Sequence, residues 1–294
     1  MSEQDPHSEK YVDPATGTET TGHEWDGIRE LNTPMPLWWL YTFYGTVAFA
    51  AVYVVLYPAI PMVTSATSGV LGYASRASVE QEIAAVDAAN AEATQRVAAS
   101  SFEEILADPE LTHYALKGGA SVFATNCSTC HGAGGAGATG YPNLVDDDWL
   151  WGGKVEDIMM TVNHGINADD PDSRWAEMPA FGDDQMLDKA QIKAVVEQVR
   201  AMGGLEHDAD LAAVGAPIFM EQCAGCHGDA GEGMIDLGAP TLSDPIWLYG
   251  KDRETLTATI THGRGGMMPA WNTLLSEAEV KKVALYVHSF GGGE

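Results

Sequence analysis

All four cysteines of the chain lie in two short stretches that share one arrangement. Residues 126–132 read NCSTCHG, residues 222–228 read QCAGCHG, and a histidine directly follows the second cysteine in both. The spacing C-x-x-C-H is the attachment signature of c-type haem, whose vinyl groups are bonded by the two thiols as thioethers. Two intervening residues place both sulfurs on one helical turn, and the next residue is then aimed at the iron as its proximal ligand.

The two motifs therefore predict two covalently bound haem c groups. A zinc site at each motif is the first alternative, and it would require a fourth ligand at matching spacing. A thioredoxin-type redox pair is the second, but no βαβ pattern surrounds either motif. The residues expected to hold the haems are Cys127, Cys130 and His131 for the first and Cys223, Cys226 and His227 for the second.

The second axial ligand of each iron is expected to be a methionine. Met178 and Met268 each stand before Pro-Ala-aromatic at corresponding points after the two motifs. A methionine ligand raises the potential of a haem, which suits a high-potential electron carrier. Ligation within the same repeat is the simpler expectation, and exchange of methionines between neighbouring domains is the alternative. With both axial positions filled, the iron has no open site for a substrate, so the sequence predicts electron transfer and not catalysis.

Two histidines and two prolines also recur after the motifs. Ligation by His164 and His262 would give low-potential bis-histidine sites, and a hydrogen bond to a haem propionate or to the backbone is the expected role instead. Pro142 and Pro240 each lie a short loop after a proximal histidine. A carbonyl oxygen in that loop would accept the remaining imidazole N–H and fix the tautomer of the ring.

The motifs lie within a longer repeat. GASVFATNCSTCHG from residue 119 matches GAPIFMEQCAGCHG from residue 215, and MPAF at 178–181 matches MPAW at 268–271. Each copy ends in a helical pattern with apolar positions at i, i+3, i+4 and i+7, so each terminal helix is expected to bury one face. Those apolar positions are Ile192, Val195, Val196 and Val199 in the first copy and Val280, Val283, Ala284 and Val287 in the second.

One long segment of the chain contains no charged residue. Residues 31–75 lack Asp, Glu, Lys and Arg, and the apolar stretch from Trp38 to Tyr57 is 20 residues long. As a helix it would span about 30 Å, the thickness of a bilayer core. A cleaved signal peptide is excluded because about 30 acidic and polar residues come first without a basic n-region. A buried helix of a soluble protein is the remaining alternative to a membrane anchor.

The sequence predicts a mainly α protein with one N-terminal transmembrane helix followed by two tandem domains. Residues 78–106 are rich in Ala, Glu and Gln without Pro or Gly, and they predict a helical linker. The expected parts are an acidic segment at 1–33, the anchor at 34–61, the linker at 62–108 and domains at 109–206 and 207–294.

The chain is strongly acidic, with 42 acidic against 15 basic residues and a formal net charge of −27. Nucleic acid is excluded as a partner because its phosphates attract the opposite sign. A partner with a basic face fits this charge through long-range attraction, and a role in solubility alone is the alternative.

The two repeats resemble class I cytochrome c domains, on CxxCHG, the glycine-rich loop, the proline, the distal Met-Pro and the terminal helix. Together with the preceding LWWLYTFY and YPA of the anchor, residues from about 32 to the C-terminus resemble subunit III of cbb3-type cytochrome c oxidases, the dihaem CcoP/FixP family. The resemblance implies axial ligation by His131, Met178, His227 and Met268 and covalent haem at the four cysteines.

The resemblance also implies a role and partners. Electrons would come from a soluble or membrane-bound c-type cytochrome and pass to a monohaem cytochrome c subunit and a catalytic subunit with haem b and copper, where O₂ becomes water. The alternatives are a free-standing membrane-tethered dihaem carrier, a dihaem peroxidase and the cytochrome subunit of a periplasmic dehydrogenase. Because haem is attached outside the bacterial cytoplasm, the N-terminus is expected in the cytoplasm and the haem domains in the periplasm of an inner-membrane protein.

Overall fold

The computed structural model describes residues 10–291. The first nine residues of the acidic segment, and the last two glycines of the run expected to end the second repeat, lie outside this range. The chain divides into two compact units, Met1–Ala88 and Ala89–Glu294. The expectation of a mainly α fold is confirmed.

The first unit begins with a small antiparallel hairpin, β1 (Thr20–Trp25) and β2 (Ile28–Leu31). Its turn residues, Asp26 and Gly27, both have positive φ angles, of 50° and 83°. That is the geometry of a type I′ turn, for which Asp-Gly is a preferred sequence. This hairpin was not predicted, although an Asp-Gly dipeptide is a hairpin signal.

The apolar segment forms one continuous helix, α1 (Leu37–Leu56), in which none of the residues is buried. It begins directly after Pro36 and ends before Pro58, so prolines delimit it at both ends. Among the described residues it is the one helix long and apolar enough to cross a membrane. Its bounds lie within one residue of the apolar stretch predicted from the sequence.

Residues 78–106, predicted to be a helical linker, are helical with one break at residues 100–101. The two helices are α2 (Ser75–Ala99) and α3 (Phe102–Ala107). Ser101 separates them and caps α3, because its hydroxyl accepts the Glu104 N–H while the Glu104 carboxylate accepts the Ser101 N–H.

The rest of the second unit consists of helices joined by glycine-rich loops. The bounds are α4 (Pro109–Val122), a π-helical turn (Phe123–Cys127), α5 (Ser128–His131), α6 (Val155–His164), α7 (Lys189–Met202), α8 (Ala209–Gln222), α9 (Ala224–His227), a 3₁₀ turn (Ile235–Leu237), α10 (Arg253–His262) and α11 (Glu277–His288). An aspartate or serine side chain caps the N-terminus of α3, α4, α7, α8, α10 and α11.

Two hydrophobic cores form in this unit, and each combines helices from both sequence repeats. The first core contains α4 and α6 of the first repeat with α11 of the second. The second contains α7 of the first repeat with α8 and α10 of the second. All eight apolar positions predicted for the terminal helices are buried. The domain boundary between residues 206 and 207 stays a prediction, and each core contains helices from both sides of it.

Glycines permit the closest helix crossings in both cores. A Cβ on Gly119 of α4 would lie 2.1 Å from the carbonyl oxygen of Lys282 in α11. A Cβ on Gly215 of α8 would lie 2.1 Å from the carbonyl oxygen of Ala194 in α7. Because both obstacles are backbone atoms, no side-chain rotation can relieve the clash. The N-terminal helix of each repeat thus requires glycine where it crosses the C-terminal helix of the other repeat.

We expect Gly119→Ala and Gly215→Ala each to lower the free energy of unfolding by about 1–3 kcal/mol, the usual range for an overpacked core. Gly225→Ala is the matched control, since a Cβ there meets no atom within 4 Å and the equivalent residue of the first motif is Thr129. Denaturant unfolding of the purified chains, followed by circular dichroism, checks the ranking. Equal stability of all three variants would contradict this crossing geometry.

Candidate haem sites

The first C-x-x-C-H motif is attached to the core by the turn that precedes it. Phe123 begins the π-helical turn, is 1% exposed, and contacts the rings of Tyr286 and Phe290 with centroids 5.7 and 5.5 Å apart. The turn leads into α5, which ends at His131. Residues at the end of the second repeat therefore position the motif of the first repeat.

The second motif is placed in the same way. Phe219 of α8 is 1% exposed within the second core, and α8 leads directly into α9, which ends at His227. In both motifs the first cysteine is half-buried, the second is exposed, and all four thiols are free of disulfides. Both sulfurs of each motif therefore lie at the surface of a core, where they are available for bonding to a haem.

Both proximal histidines donate a ring hydrogen bond to a proline carbonyl, as the sequence analysis predicted. His131 Nδ1–H donates to the carbonyl oxygen of Pro142 at 3.1 Å, and His227 Nδ1–H donates to that of Pro240 at 3.0 Å. This bond leaves Nε2 as the ring atom with a free lone pair. Burial lowers the pKa of both histidines, and the carbonyl bond opposes this only in part. The imidazoles are therefore neutral, which is the form that binds a metal.

The first cysteine of each motif is a poor thiolate. Burial, and then the charge of the neighbouring cysteine, raise the pKa of Cys127 and of Cys223 to about 11. A thioredoxin-type redox pair depends on a lowered thiol pKa. These environments therefore disfavour the redox-pair alternative and suit thiols that are consumed in a covalent bond.

Each methionine lies in the core that holds the cysteines of the other repeat. Met268 packs against the first core together with Cys127, and Met178 packs against the second core together with Cys223. This differs from the simpler expectation, in which each methionine stays with its own repeat. The physical reason is the exchange of terminal helices, because each Met-Pro segment precedes the helix that crosses into the other core.

Short backbone bridges hold the methionine segments in these positions. Met268 exchanges two 2.9 Å hydrogen bonds with Ile166, and Met178 exchanges bonds of 2.8 and 3.1 Å with Arg264. The residue just before each of these bridge partners is a glycine, at which a Cβ would lie 2.3 Å from the methionine carbonyl oxygen. The His-Gly-Ile segment of the first repeat therefore binds Met268 of the second repeat. The His-Gly-Arg segment of the second repeat binds Met178 of the first.

The two recurring histidines pair with carboxylates of the chain. His164 Nδ1 lies 2.9 Å from Asp170 Oδ1, and His262 Nδ1 lies 2.8 Å from Asp183 Oδ2. Asp183 belongs to the first repeat and His262 to the second, so this pair also joins the repeats. The aspartate partners were not predicted, and the expected hydrogen bond of each ring to a haem propionate stays a prediction.

An orphaned buried donor tests whether the described residues fit a haem. Trp247 Nε1 is buried in the second core and is the one buried side-chain nitrogen or oxygen without a hydrogen-bond partner among residues 10–291. A buried N–H without a partner is unfavourable by about 1–3 kcal/mol, so an acceptor from outside the chain is expected. A haem propionate is such an acceptor. Together with the thiols, the imidazoles and the thioethers, this donor fits haem c.

Two arginines lie beside the sites and were missed by the sequence analysis. The Arg264 guanidinium stacks on the Tyr249 ring at 4.2 Å, and that of Arg174 stacks on the Trp151 ring at 5.2 Å. Arg174 also donates to the Trp151 carbonyl oxygen at 2.6 Å. The available signal was spacing, because each arginine stands four residues before a Met-Pro pair. These cations lie in a chain that is otherwise strongly acidic.

Three carboxylates from the two repeats approach one another. Asp148 is half-buried, next to Asp146 of the same loop and Asp244 of the second repeat. Burial is the main cause that raises the pKa of Asp148 to about 6, and repulsion by Asp244 and then Asp146 adds to it. The two equivalent loops of the repeats thus bring like charges together.

Comparison with protein families gives two matches. Residues 17–64 match the family described as the N-terminal domain of cytochrome oxidase-cbb3, FixP. Residues 115–197 and 210–287 both match the family described as cytochrome c oxidase, cbb3-type, subunit III. The second description covers both repeats, and the first covers the hairpin and the apolar helix.

Curated proteins similar to the chain match it over nearly its full length. A cbb3-type cytochrome c oxidase subunit CcoP of Cereibacter sphaeroides is 54% identical over 94% of this chain and 95% of its own. A subunit FixP of Sinorhizobium medicae is 49% identical over 97% of this chain and 98% of its own. A subunit CcoP of an Azospirillum species is 46% identical over 98% of this chain and the whole of its own.

We expect Asp148→Asn to raise the unfolding temperature at about pH 7.5 and to raise it less at about pH 4.5. The folded pKa near 6 exceeds the ordinary value of about 3.9, so the favourable contribution of Asp148 is complete below about pH 4 and is lost as the pH rises through 6. Asp147→Asn, at the exposed neighbour, is the control and should change little. Scanning calorimetry at both pH values measures the effect, and a gain independent of pH would contradict it.

Proposed function

The chain belongs to the CcoP/FixP family of cbb3-type cytochrome c oxidase subunits, and we propose that within the oxidase it is the non-catalytic subunit that carries electrons on two covalent haem c groups. The observation that carries this proposal is the packing of each C-x-x-C-H motif in one core with a Met-Pro segment of the opposite repeat. The free-standing carrier and the dehydrogenase subunit are not favoured by the comparisons.

Each haem is held by residues from both repeats. The first ligand set is Cys127, Cys130 and His131 with Met268, and the second is Cys223, Cys226 and His227 with Met178. The shared cores support these sets, because Met268 packs with Cys127 and Met178 packs with Cys223.

When bound, haem c supplies a one-electron couple of its iron. The residues of the chain orient the ligands of the iron and influence its reduction potential. The carbonyls of Pro142 and Pro240 orient the imidazoles and increase their basicity through Nδ1. The thioethers of Met268 and Met178 would serve as the second ligands, which would raise the potential and leave no position for oxygen or peroxide. Trp247 Nε1 would donate a hydrogen bond to a propionate of the second haem.

The apolar helix α1 anchors the subunit in the bacterial inner membrane as a single span. None of its 20 residues is buried, which supports a lipid or subunit environment around it. Because haem c is attached outside the cytoplasm, the two haem sites lie in the periplasm and the hairpin that precedes Pro34 lies in the cytoplasm.

The subunit accepts electrons from a soluble or membrane-bound c-type cytochrome. It delivers them to the monohaem cytochrome c subunit and to the catalytic subunit with haem b and copper. The net charge of −27 supports a donor with a basic face, since opposite charges accelerate encounter.

The haem content tests the proposal. The purified chain is expected to give two haem c per polypeptide in alkaline pyridine, and Cys127→Ser with Cys130→Ser is expected to give one. The ferrous chain at neutral pH should bind little carbon monoxide, because both axial positions are filled. Fewer than two haems, or carbon monoxide binding at either, would contradict the proposal, and the second result would favour the peroxidase alternative.

Exchange of the methionines is tested in chains that carry a single haem. In the background Cys223→Ser with Cys226→Ser, we expect Met268→His to lower the potential of the remaining haem by on the order of 0.1 V, within the ~0.8 V range that axial ligands set. Met178→His in the same background is the matched control and should leave the potential unchanged. The reciprocal background, Cys127→Ser with Cys130→Ser, should reverse the two results. Optical redox titration measures them, and a shift caused by the methionine of the same repeat would contradict the exchange.

A further inference from the structure

The segment after the anchor folds back onto the end of α1. The N–H groups of Val70 and Leu71 donate to the carbonyl oxygens of Val55 and Leu56 at 2.9 and 3.1 Å. These are the last two residues of α1, whose carbonyls have no partner within the helix. Gly69 allows the close approach, because a Cβ there would lie 2.4 Å from the Leu56 carbonyl oxygen. Residues 58–73, called the return segment here, therefore cap the C-terminal end of the anchor.

The hydrogen bonds fix the depth of the return segment relative to the anchor. Val70 lies level with Val55 and Leu71 level with Leu56, at the last turn of the helix. A helix of 20 residues is about 30 Å long, which matches the hydrocarbon core. In a bilayer that α1 spans, Val70 and Leu71 would lie where the hydrocarbon core meets the headgroups.

The side chains of the return segment suit that depth. The segment contains no charged residue. Its apolar side chains are exposed, with Val63, Val70 and Leu71 102%, 76% and 58% exposed. Tyr57 and Tyr73 contact each other edge to face at 5.6 Å beside it, and tyrosine is enriched at membrane interfaces.

The backbone of the return segment is also paired within itself. Thr67 Oγ1 accepts the N–H groups of Ala59 and Ile60 at 3.4 and 3.2 Å, and the Thr67 N–H donates to the Ile60 carbonyl at 3.0 Å. The Met62 N–H donates to the Ser65 carbonyl at 2.7 Å. Irregular backbone is tolerated near the hydrocarbon only when its polar groups are satisfied internally.

We propose that the return segment is a second membrane contact, an interfacial foot that lies against the boundary between acyl chains and headgroups at the end of the anchor. The lipid-facing surface of α1 continues into it without a charged residue. The proposal rests on the proposed function in one respect, because it takes α1 to span the bilayer. The foot would fix how far the linker begins above the lipid surface.

The test is the accessibility of a nitroxide on the full-length, haem-loaded chain in lipid nanodiscs, where the native cysteines are held as thioethers. Labels are placed by Val70→Cys, with Leu71→Cys as a second reporter. Val214→Cys in α8, 57% exposed, is the matched aqueous control, and Val47→Cys in the middle of α1 reports the anchor itself.

We expect oxygen to relax the labels at residues 70 and 71 severalfold more strongly, relative to a water-soluble nickel complex, than the label at 214. Strong nickel access at 70 and 71 would overturn the foot and leave the segment open for a partner subunit. Protection from both relaxants would also overturn it, because protein would then cover the segment. A water-exposed label at residue 47 would overturn the anchor, which separates failure of the proposed function from failure of the foot.

Discussion

The crossing of each repeat's N-terminal helix with the other repeat's C-terminal helix is the interaction that organises the haem-binding unit. It is possible only where Gly119 meets the Lys282 backbone and Gly215 meets the Ala194 backbone. Once α4 lies on α11 and α8 lies on α7, the Met-Pro segments before α7 and α11 must follow their helices. Helix packing therefore determines which Met-Pro segment lies in the same core as each C-x-x-C-H motif, and the distance in sequence between the two does not.

The exchange makes each haem site depend on both repeats. The turn before the first motif is held by Phe290 and Tyr286 at the end of the chain, and Asp183 of the first repeat pairs with His262 of the second. Separate domains joined by a linker would change their relative position easily. Two interleaved cores share backbone bridges at Met178 and Met268, which fixes the sites relative to each other. A fixed separation suits a subunit whose task is to move electrons between two sites.

Much of this could be read from the sequence because the signals are local. The C-x-x-C-H spacing predicts the haem residues, the uncharged apolar run predicted α1, and the proline after each motif predicted the carbonyl that binds His131 and His227. The exchange could not be read, because either pairing of two similar repeats buries the same apolar stripes at Ile192 and Val280. An apolar stripe indicates that one face of a helix is buried. It does not indicate which of two equivalent helices covers that face. The arginines at the sites are hidden for a different reason, because Arg174 lies ten residues after His164 whereas Arg264 lies two residues after His262, and alignment on His-Gly does not pair them.

The most direct measurement is an experimental structure of the haem-loaded chain, with the two irons located by their anomalous scattering. The iron bound by His131 is predicted to lie at bonding distance from the sulfur of Met268, and the iron bound by His227 from that of Met178. A bond from the His131 iron to Met178 would show that the repeats close on themselves, and it would contradict the exchange on which the two haem sites depend.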